Sequence, residues 1–226
     1  YVVEKDFKKS IEIFKKGLSL DPQDENLMMS IANSYSAMGE YEKADEYFDK
    51  ALTFNPDLAI AYYNKAKLAI DKKENLWKEK SMNYLNHCIQ LMPFFYQSNI
   101  NKASLLREDN KNEEAEGVLS KVIGGTFNED FIMAILQRGI TYRLQNKLPM
   151  ALNDFNTVLL YDPYNIQNLS NLSQTYLVMG YCGEAQFYAQ LGFKEANKQE
   201  NHSCDIEFND VLITLQAMSR MTMPIS

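Results

Sequence analysis

Residues able to do chemistry are sparse in this chain of 226. A zinc site needs cysteines and histidines at patterned spacing, and a nucleophile needs a base within reach. There are two histidines, His87 and His202, and three cysteines, Cys88, Cys182 and Cys204. His202 and Cys204 stand in a polar stretch without the number or spacing of ligands a zinc site requires. Gly124-Gly125 is not followed by the Gly-Lys-Ser/Thr of a phosphate-binding loop. The acidic run Asn112 to Glu116 and the alternation in EYEKADEYFDK have the i,i+4 charge pairing of solvated helix faces. No set of groups converges as an active site would, so the expectation is no enzyme activity, no metal and no cofactor in this segment.

Recognition needs less. Ser30, Asn64, Asn101, Gln137 and Asn171 are all polar and uncharged, and they recur at steps of 34, 37, 36 and 34 residues. An amide carries a donor and an acceptor together, which matches the N–H and C=O of a peptide backbone. Spaced along a groove, such residues would hold an extended chain without reading its side chains. Contacts between helices are the other reading of the same column.

The elements that must position this column repeat with it. Two residues after each polar residue stands a small one: Ala32, Ala66, Ala103, Gly139, Ser173. A second small series runs Ala44, Ser81, Ala115, Ala151, Ala185, each 12 residues after its partner except Ser81, which lies 15 after. Prolines 22, 56, 93 and 163 are separated by 34, 37 and 70 residues, the last being two periods. Within a unit, Ile31, Tyr35 and Met38 form one helical stripe, and Gly39 ends the helix. Ala44, Tyr47, Phe48, Ala51 and Leu52 form a second stripe, closed by Pro56. The alanines are small because two antiparallel helices cross closely there. One such pair cannot cover its own apolar face, so units must stack into a solenoid. Cys88 occupies the slot of Ala51 and is thereby a small core residue.

The unit NLMMSIANSYSAMGEYEKADEYFDKALTFNP, with its small residue, Tyr, Gly-x-Tyr, Ala, Phe, Ala and Pro, resembles the tetratricopeptide repeat family. AILQRGITYRLQNKLPMALNDFNTVLLYDP resembles it through Gly139, Tyr142, Ala151, Phe155 and Pro163. The resemblance implies an all-α, right-handed superhelical solenoid of antiparallel helix pairs, with first helices lining a concave groove for an extended peptide or partner helix. The expected division is the second helix of a truncated repeat at 1–24, repeats at 25–58, 59–95 (with an extended turn), 96–131, 132–165 and 166–199, and a capping helix and tail at 200–226. The tail helix is expected around Glu207 to Arg220, with Val211, Leu212, Leu215 and Met218 on one face. It would either cap the array or begin a further degenerate unit. The chain opens in mid-repeat at Tyr1 without a methionine, as a piece of something longer would.

By the resemblance, the groove is expected to use Asn33, Asn64, Asn101, Gln137 and Asn171, and the column from Ser30 to Asn171 is similar to the asparagine ladder of O-linked N-acetylglucosamine transferases. Asn33 and Asn64 also fall where co-chaperone members of the family begin a carboxylate clamp, but the clamp's basic slots hold Met29, Gln97 and Asn101. Without cations such a clamp loses most of its strength. Trp77, in a turn three residues longer than its counterparts, and Phe94 and Phe95 are candidate partner anchors. Each has a bland alternative, a tolerated insertion for Trp77 and packing on the neighbouring unit for the phenylalanines. Gly124-Gly125, where the fourth unit lacks its proline, reads as a tolerated insertion or a hinge.

The expected function is a protein–protein interaction scaffold within a larger protein or complex, or else the substrate-recruiting arm of an enzyme such as an O-linked N-acetylglucosamine transferase-like protein. A net charge of −7 disfavours nucleic acid as partner. No apolar run approaches the ~18 residues that span a bilayer, so no membrane insertion is expected. Three scattered cysteines fit a reducing, intracellular compartment such as the cytoplasm, and the resemblance to the repeat family adds a cytoskeletal or ciliary assembly as a place where such arrays are frequent.

Overall fold

The computed structural model describes residues 2–125, 130–201 and 203–221. Twelve helices make up those residues: α1 (Val2–Leu20), α2 (Glu25–Ala37), α3 (Tyr41–Phe54), α4 (Ala59–Lys72), α5 (Trp77–Leu91), α6 (Tyr96–Glu108), α7 (Asn112–Gly125), α8 (Asp130–Leu144), α9 (Leu148–Tyr161), α10 (Ile166–Val178), α11 (Cys182–Lys198) and α12 (Asp205–Met221). The chain divides within α6 into two compact units, Tyr1–Leu105 and Leu106–Ser226.

In the first unit each of α1 to α4 packs on its successor. Ile31, Ala32, Ala44, Phe48, Ala51 and Ala61 are buried together with Met28 and Ile11 at its centre. A second cluster of Ala66, Leu85 and Leu105 lies under Tyr63 and Trp77. In the second unit, α8 with α9 and α10 with α11 are the tightest pairs, and α12 packs on both α10 and α11. Its cores centre on Phe155 with Leu136 and Leu172, and on Leu169 with Phe208.

The small residues sit where helices touch. Ala32, Ala66, Ala103 and Ser173, and all five of Ala44, Ser81, Ala115, Ala151 and Ala185, are fully buried. At Gly139 a Cβ would lie 2.6 Å from the Phe155 ring, closer than two carbons can approach. Ser81 shows how a polar residue fills such a place: its hydroxyl donates to the Trp77 carbonyl at 2.7 Å.

A further series, marked in the sequence by Gly39 and Gly180, closes the first helices. Gly39, Lys73, Asn110, Asn146 and Gly180 all have positive φ, and their spacing of 34, 37, 36 and 34 is that of the small residues. At four of the five, the next N–H bonds back five residues: Glu40 to Tyr35, Lys111 to Leu106, Lys147 to Tyr142 and Tyr181 to Tyr176, at 2.8–2.9 Å. That is the Schellman closure. At Lys73 it is replaced. The extra residues run on to Leu76, itself at φ 62°, before α5 starts at Trp77.

The tail helix α12 runs from Asp205 to Met221. Val211 is buried and Leu212 and Leu215 are half-buried against the last pair, while Met218 is exposed. The residue that anchors it was not in the expected stripe. It is Phe208, whose ring lies 2.2 Å from where a Cβ on Gly192 would be. Gly192 is thus the socket for α12.

Candidate functional site

Within each unit the first helices of successive repeats lie side by side as a row, and a residue two before each small one stands about 160° around the helix from that buried position. In the first unit this row is α2, α4 and the start of α6. A cleft of about 430 Å³ lies along α2 and α4, lined by Asn33, Ser36, Ala37, Asn64, Lys67 and Asp71 with Phe48 behind. Asn64 Nδ2 donates to Asn33 Oδ1 at 3.0 Å. Asn101 hydrogen-bonds the hydroxyl of Tyr63, whose pKa burial pushes up. Ser30 turns its hydroxyl back to the Asn26 carbonyl of its own helix, at 2.8 Å.

In the second unit the same column meets arginines. Arg107 donates through Nη2 to Gln137 Oε1 at 2.7 Å, and through Nη1 to the Gln137 carbonyl at 3.1 Å and Thr141 Oγ1 at 3.2 Å. One period on, Arg143 Nη2 donates to Asn171 Oδ1 at 3.2 Å, and Asn171 Nδ2 donates to the Gln167 carbonyl at 2.8 Å. Asn171 is buried. These two arginines escape a search confined to amides and to the slots of a terminal-carboxylate clamp. The available signal was their own recurrence, 36 residues apart and four after each small residue.

Three other cations, Arg138, Lys65 and Lys72, are neutralised by carboxylates. Arg138 holds Asp154 with two bonds of 2.8 Å, Nε to Oδ2 and Nη2 to Oδ1, and this bond raises its pKa despite burial. Lys65, buried on α4, pairs with Asp45 at 2.9 Å and bonds Asp49. Lys72 bridges Glu42 and Glu74 at 2.8 Å each.

The candidate anchors occupy different surroundings. Trp77 is half-buried over the second core cluster, with the ammonium groups of Lys73 and Lys78 5.8 and 5.7 Å from its ring. It helps wall a separate cleft of about 270 Å³ shared with Lys65, Tyr84 and the acidic face of α3. Phe95 packs edge-on against Tyr63 at 5.1 Å. Phe94 is 53% exposed.

The histidines and cysteines stay apart. His87 is exposed and lies against the Tyr62 ring. Cys88 is buried with its Sγ 3.0 Å from Ser98 Oγ, and burial pushes its thiol up. Cys204 is buried and Cys182 exposed. His202 lies outside the described residues. Among the described residues no group of three or more His, Cys, Asp and Glu could hold a metal ion, and no helix is long and apolar enough to cross a membrane.

Known proteins share the repeat and the fold. Two family profiles, each described as tetratricopeptide repeat, match residues 27–58 and 1–24. A UDP-N-acetylglucosamine–peptide N-acetylglucosaminyltransferase of Giardia intestinalis is 27% identical over 140 residues, 62% of this chain and 9% of that protein. The human protein O-mannosyl-transferase TMTC3 is 26% identical over 162 residues, 71% of this chain and 18% of that protein. The chain thus spans less than a fifth of either relative. Among solved structures, YrrB, described as a TPR protein with an unusual peptide-binding site, superposes with TM-score 0.64 at 20% identity, covering 82% of this chain and 93% of that one. PilF of Pseudomonas aeruginosa does so with TM-score 0.75 at 16% identity, covering 95% and 92%. Yeast Tom70 gives 0.70 at 16%, covering 94% and 46%.

Proposed function

Since the chain is a tetratricopeptide-repeat protein, we propose that it is a protein–protein interaction scaffold whose first-helix row receives a peptide or partner helix within a multiprotein complex. The observation that carries this is the Asn33–Asn64 pair. The pair uses one acceptor and one donor on each other. Whichever way the two amides are turned, one NH₂ and one C=O remain on the wall of an open cleft. A peptide unit needs that complement. Asn101 extends the row in the first unit, and Gln137 and Asn171 continue the column in the second, where they brace arginines. Phe94 is exposed for a partner, with Phe95 next to it in the chain, and Trp77, at the opposite end of α5, is a separate candidate anchor. The repeats are divided as the sequence period suggests, at 25–58, 59–95, 96–131, 132–165 and 166–199, with α12 closing the last. The compartment we infer is a reducing, intracellular one, on the cysteine usage alone.

The test starts from peptides selected by display against residues 1–226. Combining Asn33→Ala with Asn64→Ala should weaken a selected peptide about 30-fold, two net hydrogen bonds of about 1 kcal/mol each. Thermal stability should change by under about 1 kcal/mol, because the pair is largely solvated. Unchanged affinity, or lost folding with unchanged affinity per folded molecule, would make the amides structural.

A second reading is favoured by one finding: both relatives described above are named as glycosyl-group transferases. In it the chain is the substrate-recruiting arm of a transferase whose catalytic part lies elsewhere. Transferase activity of the full-length protein that falls when Asn33 and Asn64 are replaced would establish it.

A further inference from the structure

The cations of the second unit fall into two kinds. Arg138 is matched by a carboxylate in bidentate geometry. Arg107 and Arg143 are not: both are half-buried, and among the described residues their hydrogen-bond partners are only amides, a hydroxyl and a carbonyl. The Nε of Arg143 is buried with no partner at all. A guanidinium removed from water and given only neutral acceptors has lost hydration without regaining charge compensation. Burial accordingly lowers the pKa of both, with no carboxylate opposing it. The neutral partners hold the planes in place. Gln137 and Thr141 fix Arg107, and Asn171 fixes Arg143, so both forks are pre-oriented along α6, α8 and α10.

We propose that Arg107 and Arg143 form a two-point receptor for the carboxylate side chains of an acidic peptide segment lying along the first helices of the second unit. This rests on the reading of the first-helix row as a ligand groove. The two arginines are equivalent positions one repeat apart, so the carboxylates should be spaced by about one helix-to-helix distance, ~10 Å. A polyproline II-like chain rises about 3.1 Å per residue with three residues per turn, which puts acidic residues at i and i+3 on one face at that spacing. The neighbouring charges select a carboxylate over a phosphate. Glu108 and Asp109 follow Arg107 in the chain, and Glu207 and Asp210 of α12 line a cleft of about 330 Å³ with Arg143 without pairing to it. Those groups repel a dianion about twice as strongly as a monoanion. The sites differ from the terminal-carboxylate clamp slots, which hold Met29, Gln97 and Asn101.

Two fluorescently labelled proline-rich decapeptides test this, one with glutamates at i and i+3 and one with glutamines there, titrated into residues 1–226 by anisotropy. The glutamate peptide should bind about tenfold more tightly, as charge-assisted bonds exceed neutral ones. Its advantage should shrink as salt rises. Arg107→Gln with Arg143→Gln should abolish the preference while helical content stays native. Arg107→Lys with Arg143→Lys should keep part of it. Glu207→Gln with Asp210→Asn should tighten the glutamate peptide alone. Equal affinity for the two peptides, a preference that survives the double glutamine variant, or binding of neither peptide overturns the proposal. If both peptides bind equally and Asn33→Ala with Asn64→Ala abolishes both, the groove reading stands and the arginine receptor falls.

Discussion

The two units repeat one period but manage charge differently. Four residues after the small residue, the first unit has Ser36 and Ile70 and the second has Arg107 and Arg143. The amide of the next repeat answers accordingly. In the first unit Asn64 pairs with another amide and Asn101 with a phenol. In the second, Gln137 and Asn171 accept from guanidiniums. The amides therefore line an open cleft in one unit and brace cations in the other. The buried cations differ as well. Lys65 of the first unit is neutralised by Asp45 and Asp49, whose side chains are 47% and 62% exposed. Arg138 of the second is neutralised by Asp154, whose side chain is 3% exposed. What matters to stability is how much of each pair has left water, and a bond count misses it.

The sharpest way to break that comparison is to remove the cation from each pair. Arg138→Gln leaves the Asp154 carboxylate buried and alone, which costs about 3–5 kcal/mol. Denaturant unfolding should show a loss of that size, with amide exchange rising in α8 and α9. A loss below about 1 kcal/mol would mean that Asp154 simply protonates or reaches water. Lys65→Met in the first unit should cost under about 1 kcal/mol at neutral pH, because Asp45 and Asp49 keep their hydration. The pH dependence sharpens this. Burial opposes the Lys65 charge, but Asp49 and Asp45 outweigh it, so its folded pKa stands above the ordinary 10.5. Its contribution is then fully present below that value and is lost as pH rises through the folded pKa. Wild type and Lys65→Met should converge in stability above that range and stay parallel below it. Curves parallel throughout would mean that the pair contributes nothing.

The sequence made the scaffold legible because small residues at helix crossings are a steric demand, and Ala32, Ala66, Ala103, Gly139 and Ser173 state it directly. Helix closure was less legible. Gly39 and Gly180 announce a left-handed residue, and Asn110 and Asn146 are compatible with one, but nothing about Lys73 does. Phe208 was missed because its contact is with Gly192 on another helix, and a stripe drawn on α12 alone favours Val211 and Leu215. Arg107 and Arg143 were missed for a related reason. A long side chain acts a repeat away from its own backbone, so its partner does not share its register. The amide column was visible, yet which amides face an open cleft and which serve an arginine depended on the residue six places after the amide of the preceding repeat, Arg107 for Gln137 and Arg143 for Asn171.

The smallest effect tests the inserted turn of the first unit, between α4 and α5. Leu76 has φ 62° and is 62% exposed, so it holds a left-handed backbone with little packing in return. For an L-residue that conformation costs about 1–2 kcal/mol, which glycine avoids. Glycine in turn loses more chain entropy on folding, by roughly 0.5–1 kcal/mol. Leu76→Gly should therefore stabilise the first unit by about 0.5–1 kcal/mol. Asn146→Gly, at a left-handed position that asparagine already tolerates, should change the second by a few tenths at most. Thermal unfolding of the two variants side by side measures the difference. If Leu76→Gly gains nothing, the leucine side chain holds the turn against α5, and the insertion is a packed element of the first unit in place of a strained connection.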